Sequence, residues 1–146
     1  MLFSRRPLDL PTPGEAVTGR YQVMPLVEDH RIFKVPLDVL PKGCQVTCFG
    51  MGCFWSGESR FWTLPGVVNT AVGYQGGLTP NPTYEEVCTG LTGHAETVRV
   101  VFDPRKLSYE DLLTVFWESH DPTQGMRQGE DVGTQYRSVI HILEES

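Results

Sequence analysis

With 146 residues, the chain is long enough for one domain with a workable hydrophobic core. An apolar fraction of 40% and a charged fraction of 21% are ordinary for a globular protein, and no run approaches the length of a membrane-crossing helix. A net charge of -6 disfavours nucleic acid and anionic membrane surfaces as partners.

Met1-Leu2-Phe3-Ser4-Arg5-Arg6 is broken by Pro7 and Asp9, too soon for a secretory signal. Early acidic residues make a poor mitochondrial presequence, so the cytoplasm is the expected compartment and the mitochondrion the alternative. Residues 1–43 hold Pro7, Pro11, Pro13, Pro25, Pro36 and Pro41, six of the eleven prolines, and show no sustained period. They are predicted to form an extended arm that wraps a domain occupying 44–146 or stays partly mobile.

From Gln45 the texture changes. Val46-Thr47-Cys48-Phe49-Gly50-Met51 reads as a buried strand, 45–51, and leads into a helix over 54–63. Phe54 and Phe61, then Trp55 and Trp62, recur seven apart, which predicts one aromatic helix face ended by Leu64-Pro65-Gly66. A strand follows from Val67 to Tyr74, then a loop through Gly76-Gly77 and Pro80-Asn81-Pro82. Thr83 as N-cap, Glu86 completing a capping box and Gly90 as stop predict a short helix. The strand 95–102 alternates, with Glu96, Val98, Val100 and Phe102 on one face and Ala95, Thr97, Arg99 and Val101 on the other. Ser108-Tyr109-Glu110-Asp111 opens a further helix, in which Tyr109, Leu112, Leu113, Phe116 and Trp117 make an amphipathic stripe. His120-Asp121-Pro122 ends it. A glycine-rich loop, 123–134, precedes a last strand with Tyr136, Ser138, Ile140 and Ile142 on one face. The order β-α-β, short helix, β-α-β predicts an α+β two-layer sandwich with a ferredoxin-like split β-α-β core.

Cys44, Cys48, Cys53 and Cys88 contain no C-x-x-C and no zinc spacing, and read as reduced thiols. Cys53 stands apart. It lies where a strand gives way to a helix, and a thiol at a helix N-terminus meets free N–H groups and the positive dipole end, which favour thiolate. Gly50 and Gly52 suit a turn that pushes it outward. A buried core cysteine is the competing reading, and the residues alone leave both open. Glu96 is the second anomaly, a carboxyl on an apolar face, where desolvation favours the protonated form and hence a general acid. Its alternative is a strand end projecting into water. Tyr84 and Tyr136 offer phenolic donors to an oxygen that gains charge, with core packing as the competing reading. His94 and His120 suit hydrogen-bonding roles better than catalysis, and no metal-ligand spacing exists. Asp121 and Asp131 lie in loops and read first as turn-formers.

These segments jointly resemble the A-type peptide-methionine sulfoxide reductases. The resemblance is carried by Gly52-Cys53-Phe54-Trp55, Gly73-Tyr74 with Gly76-Gly77, Asn81-Pro82-Thr83-Tyr84 and Gly93-His94-Ala95-Glu96. It continues in His120-Asp121-Pro122-Thr123-Gln124-Gly125-Met126-Arg127-Gln128-Gly129 and Gly133-Thr134-Gln135-Tyr136-Arg137-Ser138, covering about residues 45–140. It implies reduction of methionine-S-sulfoxide, free or in proteins, and so repair of oxidative damage. Carried over residue by residue, Cys53 is the nucleophile, Glu96 the acid that protonates the sulfoxide oxygen, and Tyr84 and Tyr136 the donors that hold that oxygen. Phe54 and Trp55 cradle the substrate methyl group, and Asp131 makes polar contacts at the rim. Cys53 becomes a sulfenic acid that another thiol clears. No cofactor is implied, only an external reductant, thioredoxin or a small thiol, acting on a monomer. Cys88 is the candidate resolving thiol within the chain.

Three departures from the family pattern stand out. Ser56 replaces the usual glycine, and Glu130 and Val132 flank Asp131 where Asn and His are usual. The sequence ends at Ser146, so the domain is expected to lack the family's C-terminal portion, with its resolving cysteines. Two other readings use the same residues: a relative that binds oxidised methionine without turnover, and a thiol-based peroxide sensor.

Overall fold

The computed structural model describes residues 9–23 and 29–141. Met1–Arg6, Pro7, Pro25 and the predicted strand position Ile142 lie outside the described residues. Six of the predicted elements appear where the sequence puts them: β1 Gln45–Met51, α1 Phe54–Trp62, β2 Val67–Gln75, α2 Tyr84–Cys88, β3 Ala95–Phe102 and α3 Tyr109–Ser119. The predicted capping box at Thr83 forms, and the start of α3 proves to be a second one. The Thr83 hydroxyl accepts from Glu86 N–H while the Glu86 carboxylate accepts from Thr83 N–H, and Ser108 and Asp111 repeat the exchange. Each box satisfies two otherwise orphaned donors, worth about 1 kcal/mol per cap.

The last third departs from expectation in two ways. The glycine-rich loop folds back as a two-residue hairpin, β4 Arg127–Gln128 with β5 Asp131–Val132. Tyr136 is not on the last strand. It ends a 3-10 turn, Thr134–Tyr136, and the strand β6 runs only from Ser138 to His141. Gly133, at φ +149, sets the chain into that turn, which interrupts the alternation before it can begin.

The main sheet has the order β2-β3-β1-β6, with every neighbouring pair antiparallel. Thus β1 and β2, linked through α1, are held apart by β3, and β3 and β6, linked through α3, are held apart by β1. This is the split β-α-β arrangement. One face of the sheet carries the core. Phe49, Met51, Val98, Val100 and Phe102 meet Phe54 and Phe61 of α1 and Leu112 and Phe116 of α3. The Phe49 ring stacks on Phe61 at 5.4 Å and on Phe116 at 5.0 Å. The aromatic helix face divides: Phe54 and Phe61 are buried, whereas Trp55 is 67% exposed, one residue round the helix from the core stripe.

The arm contains no helix or strand among its described residues, only the isolated bridge Asp29–Pro36. It is nevertheless tied down. Val17 N–H donates to the Leu91 carbonyl, and the Arg20 guanidinium reaches the Asn81 carbonyl and Glu86 at 2.7 and 2.8 Å. Buried His30 accepts from the Ile32 and Phe33 N–H groups at Nδ1, so its proton sits on Nε2 and is donated to Thr70 Oγ1. The Thr70 hydroxyl donates onward to Glu58 of α1.

Candidate active site

The turn between β1 and α1 fixes everything around it. Gly52 has φ +91, and a Cβ there would lie 2.7 Å from the Gln128 side chain, so only glycine fits both conformation and space. Gly50 acts differently, by letting β1 approach β6: a Cβ would meet the Arg137 carbonyl at 3.1 Å. Cys53 then occupies the N-cap of α1, half-buried, with its carbonyl accepting from Gly57 N–H at 3.1 Å. Its side chain makes no capping bond, and the sulfur stays available at the end of the helix where free N–H groups point.

One of those N–H groups is claimed. Phe54 N–H donates to Glu96 Oε1 at 3.1 Å. Glu96, near the start of β3, shares the helix-facing side with Val98 and Val100 and is 2% exposed, so it does not project into water. Burial pushes its carboxyl above the ordinary carboxylate range. The Phe54 bond pulls the other way, and the negative charge of Asp131 adds a further push upward. The net effect is upward, toward the protonated form.

Tyrosines surround this carboxyl. Tyr136 is buried, and its phenol is pushed up to about 12, first by burial and then by Glu96, Cys88, Asp131 and Tyr84. Those five side chains therefore share one electrostatic neighbourhood. Tyr84, the first residue of α2, is 53% exposed, which rules out simple core packing for it. Tyr74, present in the Gly73-Tyr74 motif but given no role from the sequence, joins the site. It stands opposite Glu96 in the β2–β3 register, and its ring leans on Phe54 at 5.6 Å. A tyrosine in a strand gives no sign of its neighbour 22 positions on; only the register does.

Phe54 lies inward and Trp55 outward, their rings 5.5 Å apart, so the pair spans from core to rim beside Cys53. Asp131 is exposed, on β5 rather than in a loop, paired with Gln128, whose side chain packs on Gly52. Cys88 closes α2 and is half-buried. The remaining candidates have other partners. His94 takes the Gly77 N–H and bonds to the Thr79 carbonyl, while His120 is held by the Phe116 carbonyl and Ser138. Asp121 caps the turn at Thr123. Cys48 lies on the far side of the sheet, paired with Arg99 and His141, and burial pushes its thiol up to about 11. Among the described residues no three His, Cys, Asp or Glu side chains are placed to hold a metal ion, and no helix is long and apolar enough to cross a membrane.

Residues 45–146 match the family model described as peptide methionine sulfoxide reductase. The peptide methionine sulfoxide reductase MsrA of Salinispora arenicola is 59% identical over 99% of this chain and 66% of its own length. MsrA 2 of a Nostoc species is 60% identical over 95% of this chain and 63% of its own. The solved structure of methionine sulfoxide reductase A of Corynebacterium diphtheriae superposes with a TM-score of 0.88 at 43% identity, covering 93% of this chain and 64% of that one. The chain thus spans about two thirds of the length of the curated relatives it matches.

Proposed function

We propose that this chain, which belongs to the peptide methionine sulfoxide reductase family, reduces methionine-S-sulfoxide to methionine with Cys53 as nucleophile and Glu96 as acid. The observation that carries this reading is the hydrogen bond from Phe54 N–H to Glu96 Oε1. It fixes a buried, upshifted carboxyl beside the residue that follows a helix-capping cysteine. A sulfoxide oxygen leaves only once protonated, so a sulfur nucleophile and a neutral acid side by side are the minimum set.

In this scheme Phe54 and Trp55 receive the substrate methyl group, and Asp131 contacts the substrate at the rim. Tyr136 and Tyr84 donate hydrogen bonds to the sulfoxide oxygen as it gains charge. Cys53 sulfur attacks the sulfoxide sulfur while Glu96 delivers its proton to the oxygen. The attack forms an S–S bond, and the protonated oxygen then passes as hydroxyl from substrate sulfur to Cys53 sulfur as that bond breaks. The substrate S–O bond is exchanged for one to Cys53, the substrate gains two electrons, Cys53 loses two and Glu96 is left as carboxylate. Methionine departs and Cys53 is left as a sulfenic acid. A second thiol then displaces water to form a disulfide, and a further thiol restores Cys53. We assign the displacing thiol to an external reductant, thioredoxin or a small thiol, with Cys88 the alternative within the chain. A disulfide needs Cα atoms within about 7 Å, and Cys53 and Cys88 stand as free thiols on separate helices.

The test is one turnover without reductant on each sulfoxide epimer, followed by peptide mapping with dimedone. The reading requires about one methionine per chain from the S-epimer, little from the R-epimer, and dimedone on Cys53. A Cys53–Cys88 disulfide in high yield would move the resolving step into the chain. Absence of methionine would leave a binding module.

A further inference from the structure

We infer that Tyr74 is a positioning residue for Glu96, its ring braced on Phe54 and walling the carboxyl off from water. The inference rests on the reading of Glu96 as the acid. Glu96 is the second residue of β3, next to the loop that delivers the strand, yet it is 2% exposed. A strand this close to its end does not bury a carboxyl without cover from neighbours.

The register supplies the cover. Tyr74 and Glu96 are direct partners across the antiparallel β2–β3 pair, which sets their Cβ atoms about 4.5–5.5 Å apart on one face. That face is the helix-facing one, because the next pair on the same side is Val72 with Val98, both packed in the core cluster. Tyr74 also leans on Phe54, ring centroids 5.6 Å apart and tilted by 35°. Phe54 in turn holds Glu96 through its backbone N–H. Glu96, Phe54 and Tyr74 therefore close a triangle in which one residue supplies the hydrogen bond and another the apolar wall.

The other titratable groups around this carboxyl come from four elements: Cys53 at the N-cap of α1, Asp131 from β5, Tyr136 from the 3-10 turn, and Tyr84 and Cys88 from α2. Asp131 alone among them carries a carboxyl group, and its charge too opposes ionisation of Glu96. Tyr74 adds no charge of its own. Its phenol is held well above the ordinary range, by burial first and Glu96 second, so it remains neutral wherever Glu96 has work to do. Desolvation is the largest influence raising Glu96, and Tyr74, its direct cross-strand partner, stands where it can impose it.

The experiment is single-turnover methionine formation between pH 5 and 9 for the wild type and for Tyr74→Phe, Tyr74→Val, Tyr74→Ala and Glu96→Gln. Loss of the protonated acid sets a high-pH limb in the wild type. Tyr74→Val and Tyr74→Ala should move that limb down by about one pH unit, which is about tenfold in rate above it, and recover at acid pH. Tyr74→Phe, which keeps the ring, should restore the limb to its wild-type position. Valine suits a strand, so Tyr74→Val decides the matter if circular dichroism shows the alanine variant unfolded. A limb that stays in place in both variants overturns the inference. So does failure of both to fold, which would make the ring a core pillar, or a uniform rate loss in Tyr74→Phe, which would make the hydroxyl the working group. Glu96→Gln keeps the two readings separable: a wild-type limb in that variant means that Glu96 is not the acid, whatever Tyr74 does.

Discussion

Phe54 N–H donates to Glu96 Oε1 across 3.1 Å, and Phe54 is the residue after Cys53, so the proposed acid is held one peptide unit from the proposed nucleophile. The bond does two things at once. It satisfies an orphan donor of the first turn of α1, and it aims a buried carboxyl at the turn where the thiol emerges. Glu96→Gln retains a carbonyl acceptor for Phe54 N–H but carries no acidic proton. Substrate binding should persist while the reductive step slows by roughly 10²–10⁴-fold, the range for a lost general acid, as read by single-turnover kinetics.

Thiol labelling should rank the cysteines by environment. Burial pushes Cys48 up to about 11, only partly countered by Arg99, and it sits on the sheet face away from Cys53. Iodoacetamide at pH 7.5 should label half-exposed Cys53 in the native protein and leave Cys48 intact until denaturant is added. Peptide mass mapping over time reads this directly, and equal rates for the two thiols would contradict it.

Gly52 is the conformational pivot of the site. Alanine there must hold φ near +91 and place a Cβ 2.7 Å from the Gln128 side chain. Gly52→Ala should cost about 1–3 kcal/mol in denaturant unfolding and slow the reductive step, because Cys53 shifts with the turn. Gly14, with nothing within 4 Å and no positive φ, is the control, and Gly14→Ala should stay within about 0.5 kcal/mol of wild type.

Acid should destabilise the fold through three histidines. Burial is the leading cause that lowers His30, His120 and His141 from the ordinary 6.5, opposed by Glu58 for His30 and by the Phe116 carbonyl for His120. A base depressed in the folded state binds more protons when unfolded. Stability therefore falls as pH drops below about 6.5, and continues to fall until the folded-state value is passed. His30 matters most, because protonating Nδ1 evicts the Ile32 and Phe33 N–H donors that fix the arm. Thermal melts at pH 7.5, 6.0 and 5.0 should show a progressive fall in Tm, with a smaller fall in His30→Gln.

The elements that carry local chemistry were legible in the chain. The capping boxes at Thr83 and Ser108 place α2 and α3, and the alternation through Glu96, Val98, Val100 and Phe102 places β3 and its inner face. The hairpin at Arg127–Val132 has strands of two residues, too short for any period to register, and the turn at Tyr136 looked like the first residue of a strand. The seven-residue recurrence in α1 ran ahead of the geometry, since Trp55 sits one position off the buried stripe. Of the candidate site, Cys53 and Glu96 announce themselves as misfits, a thiol between glycine and aromatics and a carboxyl among valines. The pairing of Tyr74 with Glu96 and the His30–Thr70–Glu58 chain are invisible in the sequence, because each is made by contacts across 12 to 40 positions.

The central claim, that Cys53 alone attacks the sulfoxide, is tested most directly by single-turnover methionine formation in Cys53→Ser beside Cys44→Ser, Cys48→Ser and Cys88→Ser, with folding checked by circular dichroism. A hydroxyl is far less nucleophilic than a thiolate, so Cys53→Ser should form no methionine above background, while each other variant forms about one per chain from the S-epimer. Methionine produced by folded Cys53→Ser, or its loss in folded Cys88→Ser, would contradict the account.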